Sequence, residues 1–122
     1  MKVNKFKTDK ALSTISWYLD GHPIVINCEN LHDARLFLRE ETILALAGEG
    51  DFPSILFGFS IDGSKKFEVP PPEGFLFSYF TQHATTNIAV VCIATTYMEG
   101  RSDWHYSVDT QSGNLIKLSP AY

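Results

Sequence analysis

Two Asp-Gly dipeptides constrain the fold of this 122-residue chain more than any other feature. Residues 12–19 alternate between apolar and polar side chains before Asp20-Gly21, and residues 54–61 do the same before Asp62-Gly63. A short apolar segment follows each dipeptide. Asp-Gly readily adopts the two positive φ angles of a tight hairpin turn, and alternation is the pattern of a half-buried strand. The sequence therefore predicts two β-hairpins.

The second half of the chain continues the strand pattern. Residues 75–80 and 103–109 alternate, with Trp104, Tyr106 and Val108 predicted on one buried face. A short helix fits residues 75–80 nearly as well, and residues 114–118 are expected to form the last strand. Residues 88–96 (IAVVCIATT) are apolar at consecutive positions, which is typical of a strand covered on both faces. We therefore expect residues 88–96 to form a central strand.

The turn near the C-terminus has a recognisable composition. Val108-Asp109 is followed by Thr110-Gln111-Ser112-Gly113 and then by Asn114-Leu115. Over about 35 residues this segment resembles one blade of a quinoprotein-type propeller. One blade does not make a propeller, and turn chemistry alone accounts for the motif, so no function is carried over from this resemblance.

The pattern of residues 31–47 predicts the one main helix of the chain. Asn30 is suited to the N-cap and Gly48 to the C-terminal stop. Six apolar residues fall within one arc at 100° per residue: Leu31, Ala34, Phe37, Leu38, Leu44 and Ala45. Glu41 falls in the same arc, so the helix is expected to bend near Arg39-Glu40 or to point a carboxylate inward. The predicted class is α+β: an antiparallel meander of about seven or eight strands with this helix packed on it.

Composition predicts a single domain over residues 1–122, with a basic and loose segment at residues 1–10. The chain is 44% hydrophobic and holds nine Phe, five Tyr and two Trp, enough for a core without disulfides. No apolar run approaches about 18 residues, and no secretory leader is recognisable. Cys28 and Cys92 lie in apolar stretches, a usage that favours a reducing, cytoplasmic setting and idle thiols.

Charge is distributed unevenly along the chain. Residues 1–10 carry four lysines and one aspartate, whereas residues 11–122 carry six Lys or Arg and thirteen Asp or Glu. An acidic body does not attract nucleic acid, because phosphate contacts need clustered Lys and Arg. The same acidity favours fast association with a basic protein surface.

The sequence contains no recognisable catalytic or cofactor motif. Phosphate-binding glycine loops, serine-hydrolase motifs and metal-type histidine spacings are all missing, so we expect no enzyme activity, no cofactor and no metal. His105 shares a strand face with Asp103 and Asp109, which we interpret as the polar side of that strand. Cys28, just before the predicted helix, is the better of the two nucleophile candidates.

The leading functional hypothesis is a small, acidic, non-enzymatic protein-binding module. Its size and charge are those of a bacterial immunity or antitoxin-type inhibitor that neutralises a basic toxin such as a nuclease. Acidic residues crowd residues 29–51, and the expected partner-binding face is formed by Glu29, Asp33, Glu40, Glu49 and Asp51.

Two alternatives remain open at this point. One is a small-molecule binder or enzyme with a pocket between helix and sheet, in which Glu41 or Cys28 reacts. Its lining is predicted from four aromatic residues: Trp17, Phe37, Phe57 and Phe59. The other is a structural subunit that self-associates through a sheet edge.

Overall fold

The computed structural model describes residues 2–98 and 101–121, and within them every regular element is a β-strand. In chain order the strands are β1 (Val3–Asp9), β2 (Thr14–Leu19), β3 (His22–Asn27), β4 (Leu31–Phe37), β5 (Thr42–Ala47), β6 (Ile55–Ser60), β7 (Lys65–Val69), β8 (Phe75–His83), β9 (Thr86–Met98), β10 (Arg101–Val108) and β11 (Leu115–Pro120). No helix in this part of the chain could cross a lipid bilayer.

Three antiparallel sheets follow one another along the chain. Sheet 1 contains β1-β2-β3, sheet 2 contains β4-β5-β6-β7, and sheet 3 contains β8-β9-β10-β11. Each sheet is a meander in which consecutive strands pair, because the connecting turns are short. The prediction of a single sheet of about seven or eight strands was wrong: the described residues form eleven strands in three sheets.

The predicted helix over residues 31–47 was also wrong, and with it the α+β class. These residues form β4 and β5, which pair antiparallel from Leu31↔Ala47 to Phe37↔Thr42 around a turn at residues 38–41. All six residues of β5 are buried, since sheet 2 is covered on both faces. A strand buried on both faces loses its polar alternation. The apolar positions of β4 and β5 therefore matched a helical arc by coincidence.

The two Asp-Gly hairpins are confirmed. Asp20 (φ 49°) and Gly21 (φ 81°) join β2 to β3, with Leu19 paired to His22. In the second turn, the Asp62 carboxylate accepts hydrogen bonds from the backbone N–H and hydroxyl of Ser64. These bonds lower the pKa of Asp62. Residues 1–10, expected to be loose, contribute β1, which pairs with β2.

Two cores lie between the three sheets. Sheets 1 and 2 enclose a core around Ile15, Trp17 and Ile43, and sheets 2 and 3 enclose another around Leu44, Phe77 and Val90. Sheet 2 is therefore the middle layer. The central position of β9, between β8 and β10 with both faces buried at residues 89–92, is confirmed.

Candidate functional site

Four described turns lie at the same end of the three sheets, because antiparallel strands bring alternate connections to one side. These turns, which we call the loop end, are residues 10–13, 28–30, 48–54 and 70–74. Backbone hydrogen bonds join the first three of them: Cys28 N–H donates to Ser13 O, and Gly48 N–H donates to Asn30 O. The turns at residues 20–21, 38–41, 61–64, 84–85 and 109–114 form the opposite end.

The structure separates the five predicted partner-binding acids. Glu29, Glu49 and Asp51 are exposed at the loop end. Glu40 lies in the turn at the opposite end, one strand length away, or about 20 Å at ~3.3 Å per residue. Asp33 lies within β4, where it accepts the Ala34 N–H and forms a 3.8 Å ion pair with Arg35. The predicted acids therefore do not form one contiguous face.

The loop end has a strongly negative balance. Its described turns hold one lysine, Lys10, against four exposed carboxylates: Glu29, Glu49, Asp51 and Glu73. Glu73 lies outside the acidic stretch at residues 29–51, so its position along the chain did not group it with the others. It reaches this surface because β7 and β8 connect at the same end as β5 and β6.

The backbone of the loop end depends on unusual conformations. Gly48 has a φ of 135° and Gly50 a φ of 92°, which side-chain-bearing residues rarely adopt. A Cβ at Gly48 would also lie 2.9 Å from the Ser54 backbone nitrogen. Asn30, at φ 57°, supplies a third left-handed turn. These positions hold the residue 48–54 loop close to the residue 28–30 turn.

A polar groove opens at the loop end. It has a volume of about 290 Å³ and is lined by Lys10, Asn30, Leu31, His32, Gly48, Glu49 and Gly50. His32 Nε2 lies 2.9 Å from the Gly48 carbonyl oxygen. Because a carbonyl only accepts, Nε2 carries the proton and Nδ1 remains an acceptor. The groove thus offers a carboxylate, an amide and an imidazole nitrogen within one opening.

Two apolar side chains on the same end were not identified from the sequence. Leu12 is 72% exposed and Phe52 is 42% exposed, and both lie in loop-end turns. The sequence signal that could have identified them is a large apolar side chain in a short polar turn, because no neighbour along the chain buries such a side chain. An aromatic beside carboxylates is a common composition for a protein-binding surface.

Both cysteines are free, buried and poorly suited to nucleophilic chemistry. Burial raises the pKa of Cys28 and raises the pKa of Cys92 to about 12. A reactive cysteine needs the opposite shift, because the thiolate is the nucleophile. The helix whose N-terminus was to activate Cys28 does not exist.

The raised pKa of Cys92 predicts a loss of stability at alkaline pH. Above pH 9 the unfolded thiol releases its proton while the folded one keeps it, so the free energy of unfolding should fall by about 1.4 kcal/mol per pH unit up to pH 12 for this group. In urea titrations between pH 8 and pH 11, the free energy of unfolding should fall less steeply with pH in Cys92→Ala than in the wild type. An unchanged slope would contradict this prediction.

The aromatic pocket predicted between helix and sheet is not formed, because its helix is two strands. Trp17 and Phe59 are buried in the core between sheets 1 and 2, and Phe57 packs against the same core. Phe37 packs against the other core. Glu41 is exposed in the turn between β4 and β5, with a φ of 52°. The Glu41 and Cys28 chemistry proposed for that pocket therefore has no structural basis.

His105 lies on the polar face of β10, as expected, while Trp104, Tyr106 and Val108 point into the core. Asp103 accepts a hydrogen bond from the Ser102 hydroxyl, and Asp109 accepts backbone N–H groups in the following turn. Over the described side chains, no group of three His, Cys, Asp or Glu is placed to hold a metal ion.

A second histidine, His83, packs edge-on against His105 with ring centroids 5.1 Å apart. His83 Nδ1 accepts the Thr85 N–H, so the proton lies on Nε2 and is donated to Ser119 Oγ over 2.9 Å. In this tautomer His83 does not act as a base toward Ser119. The contacts instead fasten the end of β8 to β10 and β11.

Comparison of the chain with protein-family models, curated proteins and solved structures gave no match.

Proposed function

We propose that this chain is a cytoplasmic, non-enzymatic module that binds a basic protein through its loop end. The partner class we favour is a basic toxin such as a nuclease, which the module would neutralise as immunity or antitoxin-type inhibitors do. The observation that carries the proposal is that the loop-end turns hold four exposed carboxylates, two exposed apolar side chains and an open polar groove lined by Glu49.

The two kinds of side chain have different roles in this proposal. Carboxylates at the rim attract a basic surface over several ångströms and accelerate the encounter. Phe52 and Leu12 supply the apolar contacts that slow dissociation once the partner has docked. Glu49, in the wall of the groove, is placed to accept a lysine or arginine of the partner.

Charge reversal at the two ends of the molecule separates this proposal from a general effect of net charge. The Glu49→Lys/Asp51→Lys variant changes the loop end, and the Glu40→Lys/Glu41→Lys variant makes the same charge change at the opposite end. We expect the first to slow association with the basic partner about tenfold or more, and the second to have little effect. Both should melt at the wild-type temperature.

The measurement has two steps. Affinity purification with the wild-type chain and both variants, followed by mass spectrometry, identifies a basic protein retained by the wild type and the opposite-end variant only. Surface plasmon resonance with that purified protein then gives the association rate, which should fall as the Debye length shrinks from about 10 Å at 0.1 M salt to about 3 Å at 1 M. Equal binding by both variants, or binding insensitive to salt, would refute the role of the loop end.

A further inference from the structure

The three sheets diverge from a common line. Their closest backbone approaches join first strands, β1 to β4 and β4 to β8. The later strands of neighbouring sheets lie farther apart than these first strands, so neighbouring sheets diverge toward their last strands. The molecule is therefore an open fan of three sheets.

Each end of the fan presents a sheet face that no described residue of another sheet covers. Outer face 1, on sheet 1, includes Lys5, Lys7, Ser16, Tyr18 and Val25. Outer face 3, on sheet 3, includes Leu76, Tyr79, Ile93, Asp103 and Ile116. Val91 lies on this face between Tyr79 and His105 in the neighbouring strands and is itself fully buried.

Exposed apolar side chains concentrate on these two faces. Val25 is 61% exposed and Ile116 is 63% exposed, and Tyr18 and Tyr79 are also exposed. The other exposed large apolar residues that the structure describes, Leu12, Leu38 and Phe52, all lie in turns. On both outer faces, strand positions whose side chains point away from the cores therefore carry apolar residues, which is the composition of a covered face.

The charges on the two faces are complementary. Lys5 and Lys7 extend from outer face 1, with the Lys5 ammonium 5.4 Å from the centre of the Tyr18 ring. Asp9 lies on the same face at the loop end, where it accepts the Leu12 N–H, so the face keeps a net positive charge. Outer face 3 carries Asp103. Pairing outer face 1 with itself would oppose lysines, whereas pairing it with outer face 3 brings opposite charges together.

We propose that two copies of this chain associate head to tail, outer face 1 of each against outer face 3 of the other. Radially repeated sheets, typically of four strands, form closed rings with four to eight sheets. Sheets 2 and 3 have four strands and sheet 1 has three. The three sheets of one chain leave such a ring open, and two copies of the chain supply six sheets. A two-fold axis along the first strands then produces two identical heterologous interfaces and leaves neither outer face uncovered.

The mass in solution of the full-length chain tests this proposal. Sedimentation equilibrium should give twice the 13.7 kDa of one chain. Val25→Asp on outer face 1 and Ile116→Asp on outer face 3 should each raise the dimer dissociation constant about 100-fold, because each places a carboxylate in both interfaces. Both residues are exposed in the single chain, so each variant should keep the wild-type circular dichroism spectrum. Leu38→Asp, in a turn, should remain dimeric.

The outcomes discriminate between modes of association. A wild-type monomer overturns the proposal. A Val25→Asp variant that stays dimeric while Ile116→Asp dissociates also overturns it, because that pattern indicates two copies of outer face 3 in contact. Loss of the dimer in both variants, with retention in Leu38→Asp, supports it. None of these results depends on the loop end, so the proposed function is tested separately.

Discussion

Replacing Val91 by aspartate should leave no folded protein in the soluble fraction of an expression culture. Val91 is fully buried at the centre of sheet 3, paired with His105 on one side and Tyr79 on the other. A carboxylate there loses its hydration, because the Val91 side chain has no exposed surface. The expected loss is at least about 4 kcal/mol, comparable with the whole stability of a small domain, about 5–15 kcal/mol.

Val25→Asp is the matched control, since it makes the same substitution at a strand position that is largely exposed. It should stay soluble with a native circular dichroism spectrum. Val91→Ala, which removes two methyl groups without adding charge, should fold with a stability lower by about 2 kcal/mol. A soluble Val91→Asp protein with a cooperative unfolding transition would show that β9 is open to water on this face.

Replacing Trp17 by alanine should lower the free energy of unfolding by about 3–5 kcal/mol. Trp17 is buried between sheets 1 and 2, packs beside Phe6 and donates its Nε1 proton to the Ile61 carbonyl oxygen over 2.8 Å. That bond joins sheet 1 to the turn between β6 and β7. Removing the indole deletes both the packing and the hydrogen bond.

Trp17→Phe separates these two contributions, because it keeps most of the apolar volume and leaves the Ile61 carbonyl unpaired. We expect it to lose about 1–3 kcal/mol. Trp104 in sheet 3 then remains as the only tryptophan, and its fluorescence during urea unfolding should change together with the circular dichroism signal if the sheets unfold as one unit. Unfolding of Trp17→Ala at the wild-type urea midpoint would show that sheet 1 adds little to stability.

The residue 31–47 helix illustrates where sequence periodicity fails. Glu41 already spoke against the helix, because its carboxylate would lie in the middle of the apolar arc and would have to be buried. In the structure Glu41 occupies a tight turn at positive φ, and the arc is divided between two strands. The turn at residues 38–41 contains no glycine, proline, asparagine or aspartate, so the usual local signals of a hairpin were missing.

At the candidate site, too, closeness along the chain and closeness in the folded structure differ. Clustering along the chain grouped Glu29, Glu49 and Asp51, and the structure places all three in turns at the loop end. Glu40 is just as close in sequence, but the length of β4 carries it to the other end. Glu73 is distant in sequence and returns to the loop end through β7 and β8.

The sequence by itself determined the elements whose information is local. Asp-Gly turns between alternating runs specify β2-β3 and β6-β7, because turn geometry and side-chain alternation are properties of adjacent residues. The apolar run of residues 88–96 likewise specified a strand buried on both faces. Only the tertiary structure decided that β5 is a strand, that three sheets form, and which carboxylates meet at the loop end. Those outcomes depend on burial by sheets 1 and 3 and on strand direction, which come from contacts between residues far apart in the chain.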